Sequence, residues 1–160
     1  MKLTFKQKFF SWFDSYNVFD EQGDVYFRVD GKLAFGHSFD IFDKEGNKIA
    51  SLKQEIFRFL PHYKMYIDDE YVGEIVKEFS FFTHRFSLDY ESWTVEGNFL
   101  GWDYDIFDRN GDSIAHISKQ LFNFTDTYEI EVNEKKNALV ALMITISIDA
   151  IKCSQSNDNC

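Results

Sequence analysis

The chain repeats itself, and the repeat limits what it can fold into. Asp40-Ile41-Phe42-Asp43-Lys44-Glu45-Gly46-Asn47-Lys48-Ile49-Ala50 returns as Asp105-Ile106-Phe107-Asp108-Arg109-Asn110-Gly111-Asp112-Ser113-Ile114-Ala115. The correspondence continues without a gap through Phe57/Phe122, Phe59/Phe124 and Tyr63/Tyr128. A stretch this long, recurring once, marks two related halves of one fold. A smaller element recurs four times: Lys6-Gln7, Lys53-Gln54, Lys77-Glu78 and Lys119-Gln120 each precede a cluster of aromatic residues. Each copy reads as a strand, a sharp bend and a second strand.

The turns agree with that reading. Asp20-Glu21-Gln22-Gly23, Asp43-Lys44-Glu45-Gly46 and Asp108-Arg109-Asn110-Gly111 share the pattern Asp-x-x-Gly. Asp accepts hydrogen bonds from the turn backbone, and Gly23, Gly46 and Gly111 take a positive φ at little cost. Alternating runs such as Asp24 to Val29 and Tyr128 to Val132 flank the turns, as strands with one buried face require. With 19 Phe and a single Pro, the composition also favours strands over an extended linker. The expectation is a mainly β fold: a closed antiparallel barrel or sandwich of about a dozen strands, built by meander.

The length of 160 residues fits one domain, and a hydrophobic share of 44% excludes wholesale disorder. The net charge of -10 disfavours nucleic acid as a partner. Ala138 to Ile148 is too short for a transmembrane segment and is followed by Asp149, so a buried core element is expected. Its first half looks helical and its second half alternates as a strand would. The only cysteines, Cys153 and Cys160, form neither a disulfide framework nor a zinc pattern. The N-terminal residues lack a secretory h-region. A cytoplasmic chain is therefore expected, peripheral to the membrane if lipid is its partner.

The Lys-Gln opening, Trp93-Thr94-Val95-Glu96-Gly97-Asn98, the Asp-x-x-Gly turns, and Asp126-Thr127-Tyr128 followed by the apolar segment ending in Ile148-Asp149 resemble the LURP-one-related family, chiefly its short bacterial members. That family belongs to the Tubby C-terminal-like superfamily, alongside Tubby domains and phospholipid scramblases. The resemblance implies a barrel of about twelve strands around a buried hydrophobic C-terminal helix, at about 137–151. A single domain at 1–152 and a polar tail at 153–160 follow. About twelve strands leave room for a helix ~10–12 Å across. Helix side chains and inward Phe and Tyr would fill the barrel.

The resemblance implies two kinds of function. One is a non-enzymatic binding or scaffold module. The other is a phospholipid- or phosphoinositide-binding protein of the membrane surface. A headgroup site needs clustered cations, and the candidates are Lys53, Arg58, Lys77, Arg85 and Lys119; solvated strand-end charges are the plainer reading of all five. Asp108, Asn110 and Asp112 surround Gly111 without EF-hand spacing, which favours a hairpin turn over calcium. His37, His62, His84 and His116 show no metal-ligand spacing, and a bend-capping role suits His62 and His84. No nucleophile elbow, phosphate loop or zinc-hydrolase signature occurs, so neither an enzyme nor a cofactor or metal is expected. Asp149, an acid near the end of a buried helix, needs a cation or several donors and is expected to lock helix to barrel.

Overall fold

The computed structural model describes residues 1–8, 15–34, 36–77, 86–98, 102–120 and 125–153. Arg85, His84 and the tail beyond Cys153 lie outside them. Twelve strands run in chain order: β1 (Lys2–Lys8), β2 (Ser15–Phe19), β3 (Val25–Ala34), β4 (Gly36–Phe42), β5 (Lys48–Gln54), β6 (His62–Ile67), β7 (Glu70–Lys77), β8 (Phe86–Asp89), β9 (Thr94–Asn98), β10 (Asp103–Phe107), β11 (Ser113–Gln120) and β12 (Thr125–Val132). A short 3₁₀ turn, Lys135–Asn137, leads into helix α1 (Ala138–Cys153). The C-terminal segment is thus helical throughout, including the part that alternates in sequence.

Consecutive strands pair antiparallel, β1 pairs also with β12, and β8 carries no ladder to β9 among the described residues. The sheet curls until its two edges approach, so the barrel is nearly closed rather than fully hydrogen-bonded round. The Asp-x-x-Gly turns are three copies of one device. Asp43 Oδ1 accepts the Asn47 backbone N–H at 2.8 Å, and Asp108 Oδ1 accepts those of Asn110 and Asp112 at 2.8 and 3.0 Å. Asp20 does the same for Gln22 and Asp24. Next to each turn the pairing slips by one residue, at Val18/Phe19, Ile41/Phe42 and Ile106/Phe107. Such bulges raise the local twist that a curling sheet needs. The slips at Ile41 and Ile106 occupy equivalent places in the two sequence repeats, so the halves match in structure as in sequence.

The inner faces alternate as the strands do: Phe39 and Ile41, Tyr63 and Met65, Tyr128 and Ile130 are buried. They close around α1, which is buried from Val140 to Ile151. A helix without a wet face must satisfy its own polar groups. Thr145 Oγ1 donates to Ala141 O at 2.7 Å, and Ser147 Oγ to Met143 O at 2.9 Å. Among the described residues no helix is long and apolar enough to cross a membrane.

An antiparallel meander sends its connections to alternate ends. Those after β2, β4, β6 and β10 carry Asp20, Glu21, Asp43, Asp69, Asp108 and other polar residues. Those after the odd-numbered strands leave from the other end, where α1 also finishes. Of these, the connection at 55–61, with the sequence EIFRFLP, lies wholly within the described residues. Among the described residues, the Asp-x-x-Gly turns and the exposed Phe57 and Phe59 therefore stand at opposite ends of the barrel.

Candidate functional site

The end bearing Phe57 and Phe59 has two features, one outside the barrel and one inside. Outside is the connection between β5 and β6. Its base is tied by Glu55 N–H to His62 O at 3.0 Å. Ile56 packs onto Gly36, where an added Cβ would lie 2.6 Å from Ile56 Cγ2. Beyond that anchor the chain turns outward, and Phe57 and Phe59 are 96% and 92% exposed. Apolar rings this bare are unusual on a globular surface. Arg58 stands between them and lies 3.9 Å from Glu55, which also pairs with Lys64 at 2.8 Å.

Lys53 and Lys64 face each other across β5 and β6. Like charges directly opposite weaken a ladder. Here Lys64 is held by Glu55, and Lys53 Nζ lies over the Tyr66 ring at 4.5 Å from its centroid. The Glu55 carboxylate raises the pKa of Lys64, keeping it charged. Lys53, Arg58 and Lys64 are thus neighbours at the base of the connection bearing the two exposed rings, with Glu55 paired to Arg58 and Lys64. Lys64 was not apparent from sequence because it lies outside the repeated Lys-Gln element.

The other sequence candidates are not all on this surface. Lys77, at the end of β7, is half-buried, and desolvation lowers its pKa. Arg85 lies outside the described residues. Lys119 is a correction: its side chain is only 7% exposed and turns into the barrel, so it cannot serve as a surface headgroup ligand.

Inside, Lys119 Nζ lies 3.7 Å from a carboxylate oxygen of Asp149, and the Tyr128 hydroxyl donates to the same oxygen. Trp102 is the platform between two ammonium groups: Lys119 Nζ is 3.7 Å and Lys152 Nζ 3.2 Å from its ring centroid. Lys152 also donates to Tyr104 Oη at 3.1 Å. Trp102 holds a φ of +53°, an uncommon backbone state for so bulky a residue. The helix end is thereby fastened to β10, β11 and β12. Among the described residues, a gap is lined by Trp102, Tyr104, Ile117, Tyr128, Thr145 and Ile148, with no acid or histidine among them.

Desolvation first, and the Asp149 charge second, raise the pKa values of Tyr16, Tyr63 and Tyr104 above the ordinary phenol range. The pseudo-symmetric tyrosines differ sharply. Tyr128 reaches Asp149, whereas the fully buried Tyr63 hydroxyl has no hydrogen-bond partner among the described residues. Tyr128→Phe is therefore expected to cost about 1.5–3 kcal/mol, the range for a hydrogen bond to a charged group. Tyr63→Phe removes an unpaired polar group and is expected to be neutral or stabilising by about 1 kcal/mol. Urea unfolding of the two variants side by side checks this; equal losses would remove the asymmetry.

Lys152 has its pKa lowered to about 7, by burial first and by the Lys119 charge second, with Asp149 opposing. The folded state then binds fewer protons than the unfolded state from about pH 7 to the phenol range near pH 10, so stability rises with pH across that interval. Above it the buried tyrosines reverse the trend, because their phenols ionise more readily once unfolded. Thermal unfolding midpoints at a series of pH values should climb by a few degrees from neutral pH, and Lys152→Met should flatten the climb. A climb unchanged in Lys152→Met would assign it elsewhere.

The histidines divide. His62 Nε2 sits 2.7 Å from Glu74 Oε2, across from β6 to β7. His116 lies between Asp105, at 2.9 Å, and Asp103, at 3.6 Å. These three side chains could together offer ligand atoms to a cation, a grouping that spacing between histidines alone did not reveal. All three are at least 40% exposed, and a surface ion-pair cluster accounts for them.

Twelve strands curled round one buried helix, locked at one mouth, define a barrel of the Tubby C-terminal-like class. A family model described as LURP-one-related matches residues 1–149, and the chain belongs to that family. The uncharacterized protein YxjI of Bacillus subtilis (strain 168) is 24% identical over 161 residues, covering 99% of this chain and 98% of YxjI. The X-ray structure of an Arabidopsis thaliana protein matches with a TM-score of 0.56 at 12% identity, covering 92% of this chain and 91% of that one, and shows the shared fold.

Proposed function

We propose that this protein is a non-enzymatic binding module and that the end of the barrel bearing the 55–60 connection is its contact surface. The observation that carries the reading is the nearly complete exposure of Phe57 and Phe59. Each ring forgoes about 1.5–3 kcal/mol of burial, which a purely structural turn would not require. The filled interior supports the same reading, because α1 occupies the space where a barrel of this size would hold a small molecule. Two partner chemistries suit such a surface: an apolar face of another protein, or a lipid surface with anionic headgroups.

Velocity sedimentation of extracts from cells making the protein tests the contact surface. Wild-type protein is expected in fast-sedimenting fractions, and the Phe57→Ser/Phe59→Ser variant in the slow fraction of free chains. Both rings are already exposed, so the variant should keep the wild-type melting temperature. Val25→Ser, which alters an exposed apolar residue near the acidic end, should sediment as wild type. Identical profiles for wild type and the double variant would overturn the reading.

A further inference from the structure

We infer that the 55–60 connection is a membrane-docking element: Phe57 and Phe59 enter the interface of an anionic phospholipid bilayer while Lys53, Arg58 and Lys64 engage its phosphates. The inference rests on the reading of this end as a contact surface and names what it contacts.

Three observations favour a bilayer over a protein groove. First, the two rings flank an arginine at the tip of a protruding turn. Such a tip can sink to headgroup depth with its aromatic rings in the apolar boundary and its guanidinium among phosphates. Second, Lys53, Arg58 and Lys64 gather at the base of the connection that carries the rings, with Glu55, among the described residues, as the one carboxylate paired to Arg58 and Lys64, so the cluster keeps a net positive charge for phosphate. Third, the acidic turns lie at the far end of the barrel. For a chain of net charge -10, having these acidic turns away from the contact end lowers the repulsion an anionic surface exerts on it.

The direct test is co-sedimentation of purified full-length protein with phosphatidylcholine vesicles and with phosphatidylglycerol-rich vesicles. The expected result is binding to the anionic vesicles that weakens with salt, and little binding to phosphatidylcholine alone. Phe57→Ser/Phe59→Ser should lower the partition coefficient by at least about tenfold, from lost burial of two rings. Lys53→Glu/Arg58→Glu should lower it by about fivefold or more per cation. A Phe57→Trp variant should show a blue-shifted emission on adding anionic vesicles and quenching by brominated acyl chains. Soluble inositol phosphate alongside the vesicles separates the two sources of phosphate. Competition by it, together with an unshifted emission from the Phe57→Trp variant, would mean that a free phosphate ester is the ligand, and would overturn insertion.

Failure to bind any vesicle at low salt would also overturn the inference. If the extract experiment still depended on Phe57 and Phe59 in that case, the partner would be a protein, and the contact-surface reading would stand. If neither experiment depended on the two rings, both would fall.

Discussion

Replacing Asp149 with alanine lowers the midpoint of thermal unfolding by on the order of 10 °C. The carboxylate is 4% exposed, accepts from the Tyr128 hydroxyl and lies 3.7 Å from Lys119 Nζ. Truncation takes the Asp149 carboxylate away from the Lys119 ammonium group and from the Tyr128 hydroxyl that donates to it. Removing one partner of a buried pair costs about 3–5 kcal/mol, and each kcal/mol moves the midpoint of a domain this size by about 2–4 °C. The companion change separates charge from packing. Adding Lys119→Met to Asp149→Ala removes that ammonium group as well, so the double variant should recover part of the loss. Calorimetry of the three variants checks this. An unchanged melting curve for Asp149→Ala would remove the helix lock altogether.

Gly73→Ala is the second large effect, and it acts through the backbone. A Cβ at Gly73 would stand 1.8 Å from the Asp89 carbonyl oxygen and 2.9 Å from its carbonyl carbon. No rotamer can relieve that contact, because the obstacle is the neighbouring main chain. The strands would have to part where β7 meets β8, one of the two edges that nearly close the barrel. The expected cost is about 3 kcal/mol or more, at the upper end for overpacking. Gly46→Ala is the control. Gly46 has a φ of +88° but nothing within 4 Å of an added Cβ, so only the left-handed backbone penalty of about 1 kcal/mol applies. Urea titrations should show a clearly larger shift for Gly73→Ala. Equal shifts would mean that the β7–β8 edge gives way freely.

The two glycines also mark how far the sequence reaches. Gly46 was legible because its role is local: the Asp-x-x-Gly turn that demands it lies within the same few residues. Nothing near Gly73 announces it, since the carbonyl that excludes a side chain belongs to a strand more than a dozen residues later. The same distinction holds for the helix. The apolar run from Ala138 and the lone acid at Asp149 showed that something buried must end in a charge needing partners. Which partners they are depends on the meander that brings Lys119 and Tyr128 to the mouth where the helix ends.

Lys119 shows the limit most clearly. It stands 66 residues after Lys53, while the two halves of the barrel are offset by the 65 that separate Tyr63 from Tyr128. The recurring Lys-Gln pair therefore matches in composition and slips by one position in the strand. A slip of one residue turns a side chain to the opposite face of the sheet. Lys53 consequently lies on the outer surface over Tyr66, and Lys119 lies within, over Trp102. The aromatic residues pose the same question. Phe39 and Phe57 are chemically identical, yet one is buried and the other is 96% exposed. The sequence by itself determined the repeat, the turns, the strand-rich fold and the need for a buried counter-charge, because each is written in short-range pattern. Only the tertiary structure decided which lysine and which phenylalanine face solvent, because curvature and pairing across the sheet set the face on which each side chain stands.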